Sequence, residues 1–475
     1  MRTKSINMLL LNFVNGEHRV QILHAGQALA AEGWQDDVEI EIGPDGRIAT
    51  LGPQRRAPDA RVDLALPAPA NLHSHAFQRA MAGLTEARGP DPSDTFWTWR
   101  RLMYRFLDRL TPDDVEAIAA LAFMEMAEAG FGAVAEFHYL HHAPGGTPYA
   151  CLAEMCERIV AAAARTGLGL TLLPVLYRHG GCDRRPLDGG QRRFGNDPDG
   201  FARLVEGAEA ALAAAGRPDD RIGIAPHSLR AVDPAALAEA AALRPGAPVH
   251  MHLAEQVAEV AEVEAHLGAR PVTWLLDNAP IDGRWCLIHC TQTTPAETAR
   301  LARSGAVAGL CPITESSLGD GIFDATGLQA ADGTFGVGTD SNIHIALLDE
   351  LRTLDYSQRL RDRSRAALAT ADRSTGRVLF ETAAAAGARA AGRAAGVLAP
   401  GHVADILGIA TGNPWVAGRR GDTVLDCLIF TGHGPRAITD LWSAGRHIVR
   451  EGRHIDRTRI TATYMATIAR LGEGI

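Results

Sequence analysis

Lysine is almost missing from this chain: Lys4 is the only one in 475 residues. A Schiff-base lysine, a phosphate-loop lysine and a carbamylated lysine bridging two metals in a core are thereby excluded. Long apolar runs are missing as well. No stretch approaches the ~18 residues of a membrane span, so no membrane partner is expected. The start, Met1 to Val14, has only a short apolar segment. Asn12 interrupts it and no small-residue cleavage site follows. Residues 1–22 are therefore expected to be a poorly ordered extension rather than a secretion signal. Cysteine is scarce, at seven residues without paired spacing, which fits the reduced thiols of a cytoplasmic protein. With a formal net charge of −9, the chain has no bulk attraction for nucleic acid. A few local arginines can still hold an anionic substrate.

What is present has the texture of an α/β protein. The length suggests one large domain and a smaller one. Residues 37–43 alternate polar and apolar, Gly43-Pro44-Asp45-Gly46 is a turn, and 47–52 can return as the second strand of a hairpin. From about residue 66 strands alternate with helices. Thr111-Pro112-Asp113-Asp114 opens a helix with an N-cap, a proline and first-turn acids, and Gly130 can end it. Asp233 before Pro234 repeats that start. The apolar run 62–71 and the segments 132–139, 168–176, 222–227, 248–253, 285–289, 306–310 and 334–340 read as eight strands. Such alternation implies right-handed crossovers and a parallel sheet. Eight units close a (β/α)8 TIM-like barrel with its reactive groups at the C-terminal strand ends. An alanine-rich helix near 376–395 follows, and β character returns at 404–409 and 437–452. The expected division is a barrel over 66–395 and an accessory β-sandwich built from 1–65 and 396–475.

Four strand ends offer metal ligands. His73 and His75 stand one residue apart in Asn71-Leu72-His73-Ser74-His75. His250-Met251-His252-Leu253-Ala254-Glu255, His289, and Gly338-Thr339-Asp340-Ser341-Asn342 follow. Alternate residues of a strand share a face, so His73 and His75 can both look into the barrel mouth. Imidazoles suit zinc, and a carboxylate can complete a catalytic set. His252 and Asp340 are the choices for the third and fourth ligands. His250, two residues earlier, is the alternative to His252. If His252 is the ligand, Glu255 can overhang a substrate.

These residues resemble the amidohydrolase superfamily, and within it the mononuclear deaminases. That branch has HxH on its first strand, HxxE after the fifth, His after the sixth and Asp after the eighth. Here these are His73/His75, His252/Glu255, His289 and Asp340. Gly396-Val397-Leu398-Ala399-Pro400-Gly401 is also typical, as the return to the accessory sheet. The closer resemblance is to the formimidoylglutamate deiminases of histidine degradation. It is carried by the segment around His73–Gln78, by Phe96-Trp97-Thr98-Trp99-Arg100, by Pro226-His227-Ser228-Leu229-Arg230, by the segment Thr314 to Phe323, and by Gly338 to Asn342. Residues 1–22 match nothing of the family, and Ser316-Ser317 stands where Ala-Asn is expected. The missing lysine agrees with a mononuclear site, although Glu136 near a strand end leaves a carboxylate bridge conceivable.

The resemblance implies one Zn²⁺, with Fe²⁺ or Mn²⁺ possible, on His73, His75, His252 and Asp340. It implies hydrolytic deimination of N-formimino-L-glutamate to the N-formyl compound and ammonia. Asp340 and His289 then handle the attacking water, and Glu255 supplies a proton to the leaving nitrogen. The substrate is a small dicarboxylate. Arg230 and Arg100 are candidates for its carboxylates, because guanidinium forks onto carboxylate. Gln78, Tyr139 and His227 are matching hydrogen-bond partners. A homodimer is expected. The rival readings are a deaminase of purine-type rings and a non-catalytic metal-binding scaffold.

Overall fold

The structure, a computed structural model, describes residues 19–84, 86, 103, 104 and 106–472. Lys4, most of the proposed N-terminal extension, and the 96–100 segment with Arg100 lie outside the described residues.

Strands β1 (Gln21–Ala30), β2 (Gly33–Ile42), β3 (Ile48–Pro53) and β4 (Ala60–Pro67) come first. β2 and β3 are the expected hairpin, antiparallel and joined through Gly46 at φ +74°. A side chain at Gly46 would also sit 2.3 Å from the carbonyl oxygen of Ala444, so this turn requires glycine on two counts. β1 pairs antiparallel with β2 and parallel with β4.

The run 62–71 is two strands rather than one. β4 ends at Pro67 and β5 (Ala70–Ser74) begins after Pro69. Proline donates no ladder hydrogen bond, so the chain changes sheet there. The barrel continues through β6 (Ala133–His138), β7 (Gly169–Leu176), β8 (Arg221–Ile222), β9 (Ala225–Pro226), β10 (Val249–Leu253), β11 (Trp285–His289), β12 (Val307–Leu310) and β13 (Thr334–Val337). β5 to β8 pair parallel in sequence order, and so do β10 to β13. β8 and β9 both lie against β7. They are one strand position interrupted at Gly223, where an added Cβ would meet Leu173 at 2.4 Å. Parallel bridges Ile224↔Val249 and Ser74↔Asp340 join the two halves into a ring. β5, β6, β7, β10, β11 and β12 are buried along their whole length, as a parallel sheet under helices requires.

Helix starts follow their caps. Thr111 and Asp114 form a reciprocal capping box before the helix Pro112–Glu128, and Asp233 accepts from Ala236 N before Pro234–Ala242. Each cap contributes about 1 kcal/mol.

The end of the chain supplies β14 (Ile406–Ile409), β15 (Ile438–Ser443), β16 (Arg446–Arg450) and β17 (Arg453–His454). β14 pairs antiparallel with β4, so both chain ends share one eight-stranded sheet in the order β17-β16-β15-β14-β4-β1-β2-β3. The sheet folds over on itself. Ala404 N donates to Gly46 O at 2.9 Å and Gly445 N to Ala404 O at 3.0 Å, enclosing Leu23, Ile40, Ile42, Ile406 and Trp442. A buried ion cluster ties this sheet to the barrel. Arg446 of β16 holds Asp219 at 2.7 and 2.8 Å, and Arg393 reaches both Asp405 at 2.9 Å and the Asp219 carbonyl at 2.7 Å. No helix among the described residues is long and apolar enough to cross a membrane.

Candidate active site

Three strands leave the barrel through left-handed backbone. Ala254 (φ 51°) follows β10, His289 (φ 70°) ends β11 and Cys290 (φ 54°) follows it, and Asp340 (φ 44°) and Asn342 (φ 56°) follow β13. Such angles are uncommon outside glycine and persist where surroundings over-determine them. Here a buried polar network does so. Asn71 Nδ2 donates to Thr339 Oγ1 at 2.7 Å, Thr339 N donates to Asn71 Oδ1 at 3.1 Å, and Asn342 Nδ2 donates to Ser74 Oγ at 3.1 Å. His75 N donates to Asp340 O and Asp340 N to His73 O, both at 2.9 Å. Gly338 permits this approach, since a Cβ there would fall 2.7 Å from His73 N.

The network brings the proposed ligands together. His73, His75 and Asp340 place one donor atom each within 4.8 Å of one another, and His73 does the same with His252 and His289. Asp340 Oδ1 lies 3.5 Å from His73 Nε2 and 3.3 Å from His75 Nε2. His73 Nε2 faces His252 Nε2 at 3.1 Å. The second ring nitrogens set the tautomers. His75 Nδ1 sits 3.0 Å from Phe137 O and His252 Nδ1 3.2 Å from His227 O. A carbonyl only accepts, so both Nδ1 atoms carry hydrogen and both Nε2 atoms are bare.

Burial pushes His73 down to about 3 and also lowers His75 and His252. Burial opposes the Asp340 carboxylate, but hydrogen bonding to His73 and the nearby imidazoles hold it below the ordinary range. Three neutral imidazoles and one carboxylate, with the bare Nε2 atoms of His75 and His252 turned toward Asp340 and His73, form a donor set that fits a divalent ion of the zinc type.

Around this group stand the proton-handling side chains. His289 Nε2 is 3.8 Å from Asp340 Oδ2 and 3.9 Å from Glu255 Oε1, and its Nδ1 is 3.3 Å from Glu315 Oε1. Burial opposes the charge on His289, yet Glu255, Glu315 and Asp340 outweigh it and raise the ring to about 10. Burial also raises Glu255, against the pull of His289 and Arg230. Arg230 Nη2 lies 3.7 Å from Glu255 Oε2, and Arg230 Nε lies 4.0 Å from Glu259 Oε2.

His75, Gln78, Tyr139, His227, Arg230, His252, Glu255, His289 and Asp340 line one pocket, together with Met103, Tyr177 and Phe194. Gln78 Nε2 donates to the Tyr139 hydroxyl at 2.7 Å, so these two act as one polar edge. Arg100 lies outside the described residues. His250 points away, its Nε2 donating to Ala390 O at 2.8 Å. Glu136 is engaged by Ala76 N at 2.7 Å.

Sequence reasoning missed the supports. Glu259 accepts from the backbone of Ala254 and Glu255 at 3.2 and 3.0 Å and faces Arg230. Its spacing of four from Glu255 was the available signal. Glu315 orients His289 and accepts from Cys311 N at 2.9 Å. It lies in the Thr314 to Phe323 segment that carries the family resemblance. Tyr177 gave no signal at all.

Comparison with known proteins gives a consistent result. The model described as "Amidohydrolase family" matches residues 64–448, and "Formimidoylglutamate deiminase HutF, N-terminal domain" matches residues 20–61. A formimidoylglutamate deiminase of Pseudomonas aeruginosa is 47% identical over 453 residues, 94% of this chain and 99% of the relative. An 8-oxoguanine deaminase of the same organism is 30% identical over 76% of this chain and 79% of its own length. The crystal structure of an amidohydrolase from Brucella melitensis superposes with a TM-score of 0.91 at 46% identity, covering 95% of this chain and 99% of that one.

Proposed function

The chain belongs to the amidohydrolase family, and on that premise we propose that it hydrolyses N-formimino-L-glutamate to N-formyl-L-glutamate and ammonia in the breakdown of histidine. The observation that carries this choice of substrate over a purine is Arg230. It is a buried cation on the pocket wall, 3.7 Å from Glu255, where a carboxylate of the substrate would meet it. The 47% identical relative of matching length supports the same reading.

His73, His75, His252 and Asp340 are assigned to hold one divalent ion, Zn²⁺ in this reading with Fe²⁺ or Mn²⁺ as alternates. Such an ion supplies a Lewis acid that makes a water reactive near neutral pH. The remaining steps belong to the side chains. Asp340 and His289 orient the attacking water, and the Asp340 carboxylate takes its proton. The C–O bond forms at the formimino carbon while the C=N electron pair moves onto nitrogen. Glu255, kept protonated by burial, gives that nitrogen its proton. A second transfer through Glu255 releases ammonia as the C–N bond breaks. His289, oriented through its Nδ1 by Glu315, stabilises the charge that develops on oxygen. Arg230 and Arg100 take the two carboxylates. Gln78, Tyr139 and His227 fix the formimino head.

In this reading residues 66–395 form the catalytic barrel and 1–65 with 396–475 the accessory unit. The enzyme works as a cytoplasmic homodimer, a compartment that suits its free cysteines. The deciding experiment is an ammonia-release assay with formiminoglutamate beside 8-oxoguanine and guanine. Turnover of the purines alone overturns the substrate assignment.

A further inference from the structure

The outer side of the second barrel position carries another group of metal-type ligands. His138 ends β6, His141 lies three residues on, and Cys156 is in the first turn of the helix Glu154–Thr166. Phe137 packs against His73 and His252 inside the barrel. Strand alternation therefore turns His138 outward, toward that helix. His138, His141 and Cys156 are 2%, 0% and 0% exposed. One donor atom from each lies within 4.8 Å of the others.

The protonation pattern leaves this place rich in lone pairs. His141 Nε2 is 3.0 Å from Val175 O and must donate there, so its Nδ1 is bare. That Nδ1 and His138 Nε2 are both buried with no hydrogen-bond partner among the described residues. Burial pushes His138 down to about 3 and lowers His141 well below the usual imidazole range, so neither ring carries a second proton, while burial keeps Cys156 a thiol. None of the three residues lines the substrate pocket, and the reaction above uses none of them.

We propose that His138, His141 and Cys156 bind a thiophilic closed-shell cation, Cu⁺ or Zn²⁺, at a second site separate from the catalytic one. Binding exchanges the Cys156 thiol proton for a metal–sulfur bond, releases that proton to solvent and changes no oxidation state. Thiolate and imidazole are the donors both ions prefer. Bound donors sit roughly 3.5 Å apart at the usual metal–N and metal–S lengths, and the three already lie within 4.8 Å of one another. The ligand count favours Cu⁺. Three donors with one thiolate complete a neutral trigonal site, whereas Zn²⁺ would keep a net positive charge and lack its customary fourth ligand. An occupied site pins the chain around Tyr139 to the helix Glu154–Thr166. It also braces β6, whose Phe137 carbonyl takes the His75 hydrogen bond.

The test uses the full-length enzyme, stripped of metal under anaerobic conditions and titrated separately with Cu⁺, Zn²⁺ and Co²⁺ as a zinc probe. Metal stoichiometry and near-ultraviolet thiolate-to-metal absorption are read together. The proposed catalytic ligands include no sulfur, so that absorption reports a cysteine. The expected result is a sulfur-ligated equivalent that persists in Asp340→Ala and in Cys311→Ala and disappears in Cys156→Ala. Absorption with Cu⁺ alone identifies the monovalent occupant, and absorption with Co²⁺ together with tighter Zn²⁺ retention identifies the divalent one. Wild-type enzyme that binds a single equivalent and shows no thiolate absorption with Cu⁺ or Co²⁺ overturns the proposal. So does absorption that survives in Cys156→Ala, and the first of these results is read on the wild-type protein alone.

Discussion

His73 and His252 bring their Nε2 atoms within 3.1 Å of each other at the barrel mouth. Both rings are neutral through burial, and the His252 nitrogen is bare because its other nitrogen donates to His227 O. With His75 and Asp340 beside His73, these rings form the grip assigned to a divalent ion. Chelation is therefore expected to abolish turnover and lower the melting temperature, since an ion at 100-fold its dissociation constant stabilises by about 2.7 kcal/mol. Refilling with Zn²⁺, Fe²⁺ and Mn²⁺ in turn should restore activity to different degrees. Full activity in protein shown by elemental analysis to be metal-free contradicts the assignment.

Glu255→Gln removes the transferable proton while leaving His73, His75, His252 and Asp340 in place. Metal content should stay at the wild-type level while kcat falls by about 10²–10⁴. Turnover within a few fold of wild type would remove Glu255 from the proton path.

Arg230→Met keeps volume but discards the guanidinium. A charged hydrogen bond to a substrate carboxylate contributes about 1.5–3 kcal/mol, so kcat/KM should drop by roughly 10- to 150-fold, mostly through KM. Unchanged capture of formiminoglutamate, measured by the same assay, refutes the carboxylate role.

Asp219 tests the seam between barrel and sheet. Burial works against its charge, but Arg446, Arg393 and Arg217 prevail and hold it below the ordinary carboxylate range. A depressed folded value means that the stabilisation is complete above the unfolded value of ~4 and fades as pH falls below it. Asp219→Asn should cost about 3–5 kcal/mol near neutral pH, because it strands buried arginines. The difference in melting temperature from wild type should narrow below pH ~4. A gap that widens on acidification would show the sign to be wrong.

The legible parts of this protein were those whose signal is local. Helix caps at Thr111 and Asp233, the 43–46 turn and the eight barrel positions were readable because each rests on a few adjacent residues. β1 was not anticipated, for Gln21–Ala30 alternates weakly and takes its identity from β2 and β4. The break within 62–71 was signalled by Pro67 and Pro69, but the apolar character of the run concealed it. At 222–227 the interruption comes from the crowding of Gly223 by Leu173, a contact that exists only once the barrel closes. In the site, the histidines stood out by spacing and strand position. Glu259 and Glu315 act by holding Arg230 and His289, and such partnerships form only when distant loops meet.

The sheet order carries a consequence for synthesis on the ribosome. β4 has β1 on one flank from the outset, but its other flank waits for β14, which is translated only after the whole barrel. A chain halted anywhere before residue 406 therefore exposes an open β4 edge ready to pair with another chain. Release of incomplete products should thus feed aggregation rather than yield a smaller working enzyme.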